Sequence, residues 1–119
     1  MKTYKKPFMA FSKARFYSRK GRITAKYFKT FGHPARQLVI LYLASYGPSA
    51  VEIFSKDHPI SASSMSDHLE QLREVSLISY KEKHPNIVYE LEWEKIMRAK
   101  KYILEFFEEL EKLKNKSHQ

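Results

Sequence analysis

Ser61-Ala62-Ser63-Ser64-Met65-Ser66-Asp67-His68-Leu69-Glu70-Gln71-Leu72-Arg73-Glu74 is the stretch that decides the architecture. Met65, Leu69 and Leu72 recur at i, i+4 and i+7, so they share one side of an α-helix. Ser61 stands where an N-cap belongs, its hydroxyl able to accept from an early backbone amide. The other side is small and polar: Ser63, Ser64, Asp67, His68 and Gln71. Such a helix buries one face and offers a narrow hydrogen-bonding edge on the other.

Upstream, punctuation divides the chain into further short helices. Gly21 separates a basic arm from the body of the chain, and Thr24 caps a helix reaching about Phe31, with Ile23 and Phe28 at the spacing of a hydrophobic staple. Gly32-His33-Pro34 ends that helix and starts another, in which Leu38, Leu41 and Tyr42 form an apolar stripe widened by Val39 and Leu43. Gly47-Pro48 stops it. Ser49-Ala50-Val51-Glu52 reads as a capping box opening a helix that carries Val51 and Phe54 and stops before His58-Pro59. The helix after Ser61, following this one through a brief turn, then has the geometry of the reader in a helix-turn-helix.

Downstream the periodicity changes. Leu77-Ile78-Ser79-Tyr80 and Ile87-Val88-Tyr89-Glu90-Leu91 are β-branched and aromatic runs flanking Lys81-Glu82-Lys83-His84-Pro85-Asn86, a hairpin with a basic tip. From about Trp93 to Lys114 one long helix follows. Ile96, Ala99, Ile103, Phe106, Leu110 and Leu113 fall at successive a and d positions, the spacing of a dimer seam. A helix folded back on its own core is the other arrangement open to that stripe.

The chain has 119 residues and a formal net charge of +9. Residues 1–36 hold eleven Lys or Arg and no acid, whereas residues 37–119 hold eleven bases and thirteen acids. Eight of the seventeen aromatics also lie within the first 31 residues. A basic segment interleaved with aromatics suits a polyanion, nucleic acid before a membrane surface, or else an arm whose rings dock on the body. The absence of Cys excludes disulfides, thiolate metal sites and a Cys nucleophile. No apolar run approaches the ~20 residues of a membrane helix, and none after the basic N-terminus suits a signal peptide, so a cytoplasmic protein is expected. No Gly-rich phosphate loop is present, and no His is spaced with an acid and a nucleophile; an enzyme is not expected.

Three stretches together resemble the ArsR-type winged-helix repressors. Phe28-Lys29-Thr30-Phe31-Gly32-His33-Pro34-Ala35-Arg36 is similar to the family's opening Gly-x-Pro-x-Arg. Ser63 to Glu74 is similar to its Ser-x-His-Leu-x-x-Leu recognition helix, and the hairpin ending at Leu91 to its wing. The resemblance covers about residues 24–92 in order. Ser76 stands where the family has a glycine, and Asp67 where it often has a donor; Glu52 to Ile60 aligns only with a one-residue shift. The resemblance implies a mainly α chain with a β-hairpin wing, a winged helix-turn-helix over 23–92; the charge pattern adds an arm over 1–22 with no counterpart in the family, and the heptad stripe adds a terminal helix and tail over 93–119 that make a homodimer.

The resemblance further implies a double-stranded-DNA-binding transcriptional regulator, with repression the expected mode. Ser63, Ser64, Asp67 and Gln71 would face base edges or phosphates, and Lys81, Lys83 and His84 would hold backbone on the wing. His68 would either bond phosphate or brace the helix, and Arg36 would serve at a helix end rather than on DNA. No cofactor is expected. The family's metal sites need thiolates or His and Asp on the terminal helix; residues 94–116 contain neither His nor Asp, so no metal is expected. A small-molecule effector cannot be read from the chain. A winged helix that binds protein or RNA is the competing reading, kept open by Asp67 and by the body's balance of −2.

Overall fold

The computed structural model describes residues 17–57 and 60–117; the arm up to Phe16 and the expected stop at His58-Pro59 lie outside the described residues. Helix α1 is Arg19–Phe31 and α2 is Pro34–Tyr46. The cap of α1 is Ser18, whose Oγ accepts from the Gly21 amide at 2.9 Å, rather than Thr24. Thr24 lies inside the helix with its hydroxyl donating to the Lys20 carbonyl at 2.8 Å. Gly21 therefore belongs to the first turn, because an extended serine three residues earlier already satisfies its amide. Arg19, Lys20 and Arg22 are helical residues, not part of a separate arm.

His33 caps α2, its Nδ1 accepting the Ala35 amide at 3.0 Å, with Pro34 in the first turn. The buried face of α2 is Ala35, Arg36, Val39 and Leu43, whereas Leu38 and Leu41 are exposed at 45% and 61%. The stripe expected through Leu38 and Leu41 is thus rotated: residues 38–43 are all apolar, so the neighbours rather than the pattern choose the inner side. Gly47 ends the helix at φ +80, a left-handed conformation that suits glycine.

The capping box expected at Ser49 is replaced by sheet pairing. Ser49–Ala50 forms a short strand β1, antiparallel to Tyr89 and Val88, and the Ser49 hydroxyl donates to the Gly47 carbonyl at 2.9 Å. Helix α3 (Val51–Asp57) follows and inserts a fully buried Phe54. Helix α4 (Ala62–Glu74) starts as expected: the Ser61 Oγ accepts from the Ser64 amide, and Met65, Leu69 and Leu72 are at most 1% exposed. Each contributes on the order of 1.5–3 kcal/mol through burial.

Helix α4 ends in a Schellman motif. The Leu77 amide donates to the Leu72 carbonyl at 3.1 Å and the Ser76 amide to the Arg73 carbonyl at 2.9 Å, while Leu72 and Leu77 are both fully buried. Ser76 sits at φ +62, the position where glycine is at ease. Ser76→Gly is expected to stabilise the fold by about 1 kcal/mol, read as a higher denaturant midpoint at unchanged slope. An unmoved midpoint would mean that the serine side chain offsets the strain.

Strands β2 (Ile78–Lys83) and β3 (Asn86–Leu91) pair antiparallel from Ile78↔Leu91 to Lys83↔Asn86, and the sheet order is β1-β3-β2. Only His84 and Pro85 remain in the tip, so the strands are longer than expected and Lys81 and Lys83 lie within β2. The Ser79 hydroxyl donates to the Glu92 carboxylate at the start of α5 (Trp93–Ser117).

The heptad stripe of α5 divides. Ala99 is fully enclosed in the core of the chain and Ile96 and Ile103 pack against that core, so these three serve the fold. Phe106, Leu110 and Leu113 lie beyond it, 45–48% exposed, and a second line of Trp93, Met97, Leu104 and Phe107 is 46–55% exposed. Helix α1 lies across α5 through Tyr27 on Tyr102 (5.8 Å), Phe28 on Phe106 (5.3 Å) and Lys20 on Glu105 (3.0 Å). That ion pair raises the Lys20 pKa and lowers that of Glu105, each mainly through their mutual hydrogen bond; at a wet surface it adds little stability.

Candidate nucleic-acid interface

Burial of Met65, Leu69 and Leu72 leaves the opposite edge of α4 in solvent. Ser63, Ser64 and Asp67 are exposed and Gln71 is half-buried. Ser63, Asp67 and Gln71 recur every four residues and so form one row; the Ser63 hydroxyl shares a 3.3 Å hydrogen bond with Ser61, at the N-terminal end. This row carries donors and acceptors and a single charge, that of Asp67. The cations are elsewhere, Arg73 at the end of α4 and Lys81 and Lys83 on β2.

Lys81 and Lys83, two apart on β2, share one face of the hairpin, and His84 stands exposed at the tip. Lys81 is 3.6 Å from the Glu90 carboxylate on the facing strand, so Lys83 and His84 are the wing's more available donors. Arg73 is a further residue of this surface that sequence reasoning missed. It ends α4 with its guanidinium 4.6 Å above the Tyr80 ring and 3.7 Å from Glu70, joining the helix to the wing. The Glu70 to Arg73 spacing of i, i+3 is the visible half of that arrangement; Tyr80 comes within reach only through the turn at Ser76.

His68 and Arg36 are brought together from positions 32 residues apart. The Arg36 Nε donates to the Thr30 carbonyl at 2.7 Å and its Nη2 to the Lys29 carbonyl at 3.0 Å, closing the end of α1. Its Nη1 is 3.1 Å from His68 Nδ1, and the His33 ring lies 4.2 Å from the His68 ring. Arg36 is therefore a helix-end residue, and His68 braces α4 against the α1–α2 corner. Burial, then the charges of His33 and Arg36, hold the His68 pKa below the ordinary imidazole value, with Asp67 opposing.

No protein-family model and no curated protein sequence matches the chain. Solved structures do. A protein described as a "possible transcriptional regulator for arsenical resistance" superposes with a TM-score of 0.66 at 22% identity, over 79% of this chain and 98% of that one. The transcriptional repressor BigR from Xylella fastidiosa gives 0.58 at 22% identity, over 74% and 90%. A homodimeric winged helix-turn-helix DNA-binding domain from Mycobacterium bovis gives 0.56 at 21%, over 92% and 97%.

The chain is a winged helix-turn-helix. In this winged helix α3 and α4 form the helix pair, β2 and β3 form the wing, and β1 closes the sheet's other edge. The open row of α4 and the basic face of the hairpin are the surfaces that the fold leaves available. Among the described residues no trio of His, Cys, Asp or Glu is grouped as metal ligands would be, and no helix is long and apolar enough to cross a membrane.

Proposed function

We propose that this winged helix is a homodimeric transcriptional regulator that reads double-stranded DNA and represses. One observation carries the reading: α4 buries Met65, Leu69 and Leu72 completely while turning Ser63, Asp67 and Gln71 outward in one row, with Arg73 at its end and the basic wing following directly after it. A row of short polar side chains suits base edges, and flanking cations suit phosphates. Ser64 and the α4 N-terminus would meet phosphate; Lys83 and His84, with Lys81 once released from Glu90, would hold backbone. The exposed apolar half of α5 supports a second copy as partner, and the resemblance to a homodimeric domain and to a repressor supports both the assembly and the mode. The regulator uses no cofactor and senses no metal, a reading supported by zero Cys and by the lack of His and Asp over residues 94–116.

Selection from a random duplex pool, followed by gel shift at two salt concentrations with and without zinc, tests this. A recovered inverted repeat, a steep loss of affinity with salt and indifference to zinc are expected. Retention of RNA or protein in preference to any duplex would overturn it, and zinc-dependent binding would overturn its metal-independent part. With the operator in hand, Gln71→Ala is expected to relax the preference at one base pair, by about 1–3 kcal/mol for a bidentate contact. Asp67→Ser should raise affinity for any duplex while blurring specificity, since a carboxylate repels phosphate yet can accept from cytosine. Identical specificity profiles for both variants and the parent would show that α4 does not read bases.

A further inference from the structure

The brace between Arg36 and His68 can exist in only one protonation state. A guanidinium has donors alone and keeps its charge at any physiological pH. The 3.1 Å contact from Arg36 Nη1 therefore requires a lone pair on His68 Nδ1, which means a neutral ring with its hydrogen on Nε2. Protonation would set donor against donor and cation against cation at that distance.

The surroundings leave no easy escape. Arg36 is 6% exposed and tied to the Thr30 and Lys29 carbonyls, so it cannot swing aside without opening the end of α1. The His33 ring lies 4.2 Å from the His68 ring, and its Nδ1 is committed to the Ala35 amide. Asp67, which opposes the lowering of the His68 pKa, sits exposed on the same helix and would move with it. Lys29 meets the cluster through its carbonyl; among the described residues, Glu52 and Lys56 of α3 and Lys81, Glu82 and Lys83 of β2 make no hydrogen bond or ion pair with His68. The member free to withdraw is the His68 side chain, which takes with it the tie that holds this face of α4 to the α1–α2 corner.

We propose that His68 is a positioning residue whose proton state sets the docking of α4: neutral, it ties the recognition helix to the α1–α2 corner through Arg36, and protonated it loosens the helix, so that acidification releases DNA. The release of DNA rests on the function proposed above; the docking does not. Burial first, then the electrostatic influence of His33 and Arg36, lower the His68 pKa from its unfolded value of 6.5. The contribution of the cluster to stability is accordingly complete above that pH and is lost as pH falls below it towards the folded value.

His68→Asn tests the proposal, because its Oδ1 can accept from Arg36 where Nδ1 did and does not titrate. Thermal midpoints are measured at pH 7.5 and 5.5 for both proteins, with affinities at equal ionic strength for a duplex selected by the parent at pH 7.5. Other histidines gain charge in both proteins, so the ratio between the two is the readout. Over this interval the parent is expected to lose several-fold more affinity than His68→Asn, with about tenfold the ceiling that one unit of differential proton affinity would set. Its midpoint should also fall further. By imidazole NMR, His68 of the parent should carry its hydrogen on Nε2 at pH 7.5, and His33→Asn, which keeps an acceptor for Ala35, should move the His68 titration upward.

Parallel pH profiles for parent and variant would overturn the proposal. So would a His68 that titrates at or above the ordinary imidazole value, a result available even if the variant does not fold. If neither protein retains any duplex, the DNA-binding reading fails, and the midpoints and the His68 titration alone decide the docking.

Discussion

Replacing Phe106 and Leu110 together with glutamate is expected to yield a folded monomer whose affinity for a two-site duplex falls by at least about a hundredfold, the lower end of what linked binding contributes. The two side chains are one turn apart on α5 and 45% and 47% exposed, beyond the point where the helix leaves its own core. Within the subunit the change costs the fold little more than the packing of Phe106 on Phe28. At a seam between two copies it would bury four carboxylates without partners, and each unpaired buried charge is heavily penalised. The choice of positions matters. A charge at Ala99 or Ile103 would strike the subunit's own core, and loss of binding there would report unfolding rather than dissociation. Sedimentation mass, checked against an unchanged circular dichroism spectrum, reads the result directly; a mass equal to that of the parent would remove α5 as the dimer seam.

Deleting residues 2–16 is expected to flatten the salt dependence of DNA binding and to weaken binding to every sequence alike. The deletion stops short of Ser18 because that serine caps α1; removing residues up to 21 would cut into the first turn and confound charge with folding. Five cations leave with the segment (Lys2, Lys5, Lys6, Lys13 and Arg15) and no acid. Removing one phosphate-neutralising cation lowers the slope of log affinity against log salt by roughly 0.9, so several per subunit give a change well outside error. Sequence preference should survive, since α4 and the wing are untouched. If Tyr4, Phe8, Phe11 and Phe16 instead fasten the arm to the body, the melting temperature drops and the slope stays where it was. An unaltered slope would count the arm out as a DNA contact.

The features legible in the sequence are those whose cause lies within a turn or two of the chain. Ser61 and the Met65, Leu69, Leu72 spacing place α4 and its inner face, because a cap and a helical period act over three to seven residues. The same locality places the stops at Gly32-His33-Pro34 and Gly47-Pro48, the basic hairpin, the long terminal helix, and the open row of Ser63, Asp67 and Gln71. Even Ser76, standing where a glycine would, holds the positive φ that a Schellman turn requires.

Tertiary structure decided the rest. Ser49 has a sound local role as a cap, but pairing with Tyr89, forty residues away, takes its backbone into the sheet. Helix α2 is apolar all round its middle, so only Phe54, Met65 and the other core residues choose Val39 and Leu43 over Leu38 and Leu41. The α5 stripe keeps one period from Ile96 to Leu113 although its first half packs on the core and its second half runs beyond it, half exposed. A heptad specifies a face to be covered and is silent on what covers it; where the cover ends depends on the width of the domain beneath. Arg36 and His68, 32 residues apart, form the same kind of feature: their hydrogen bond exists because two helices cross there, and no spacing along the chain encodes a crossing.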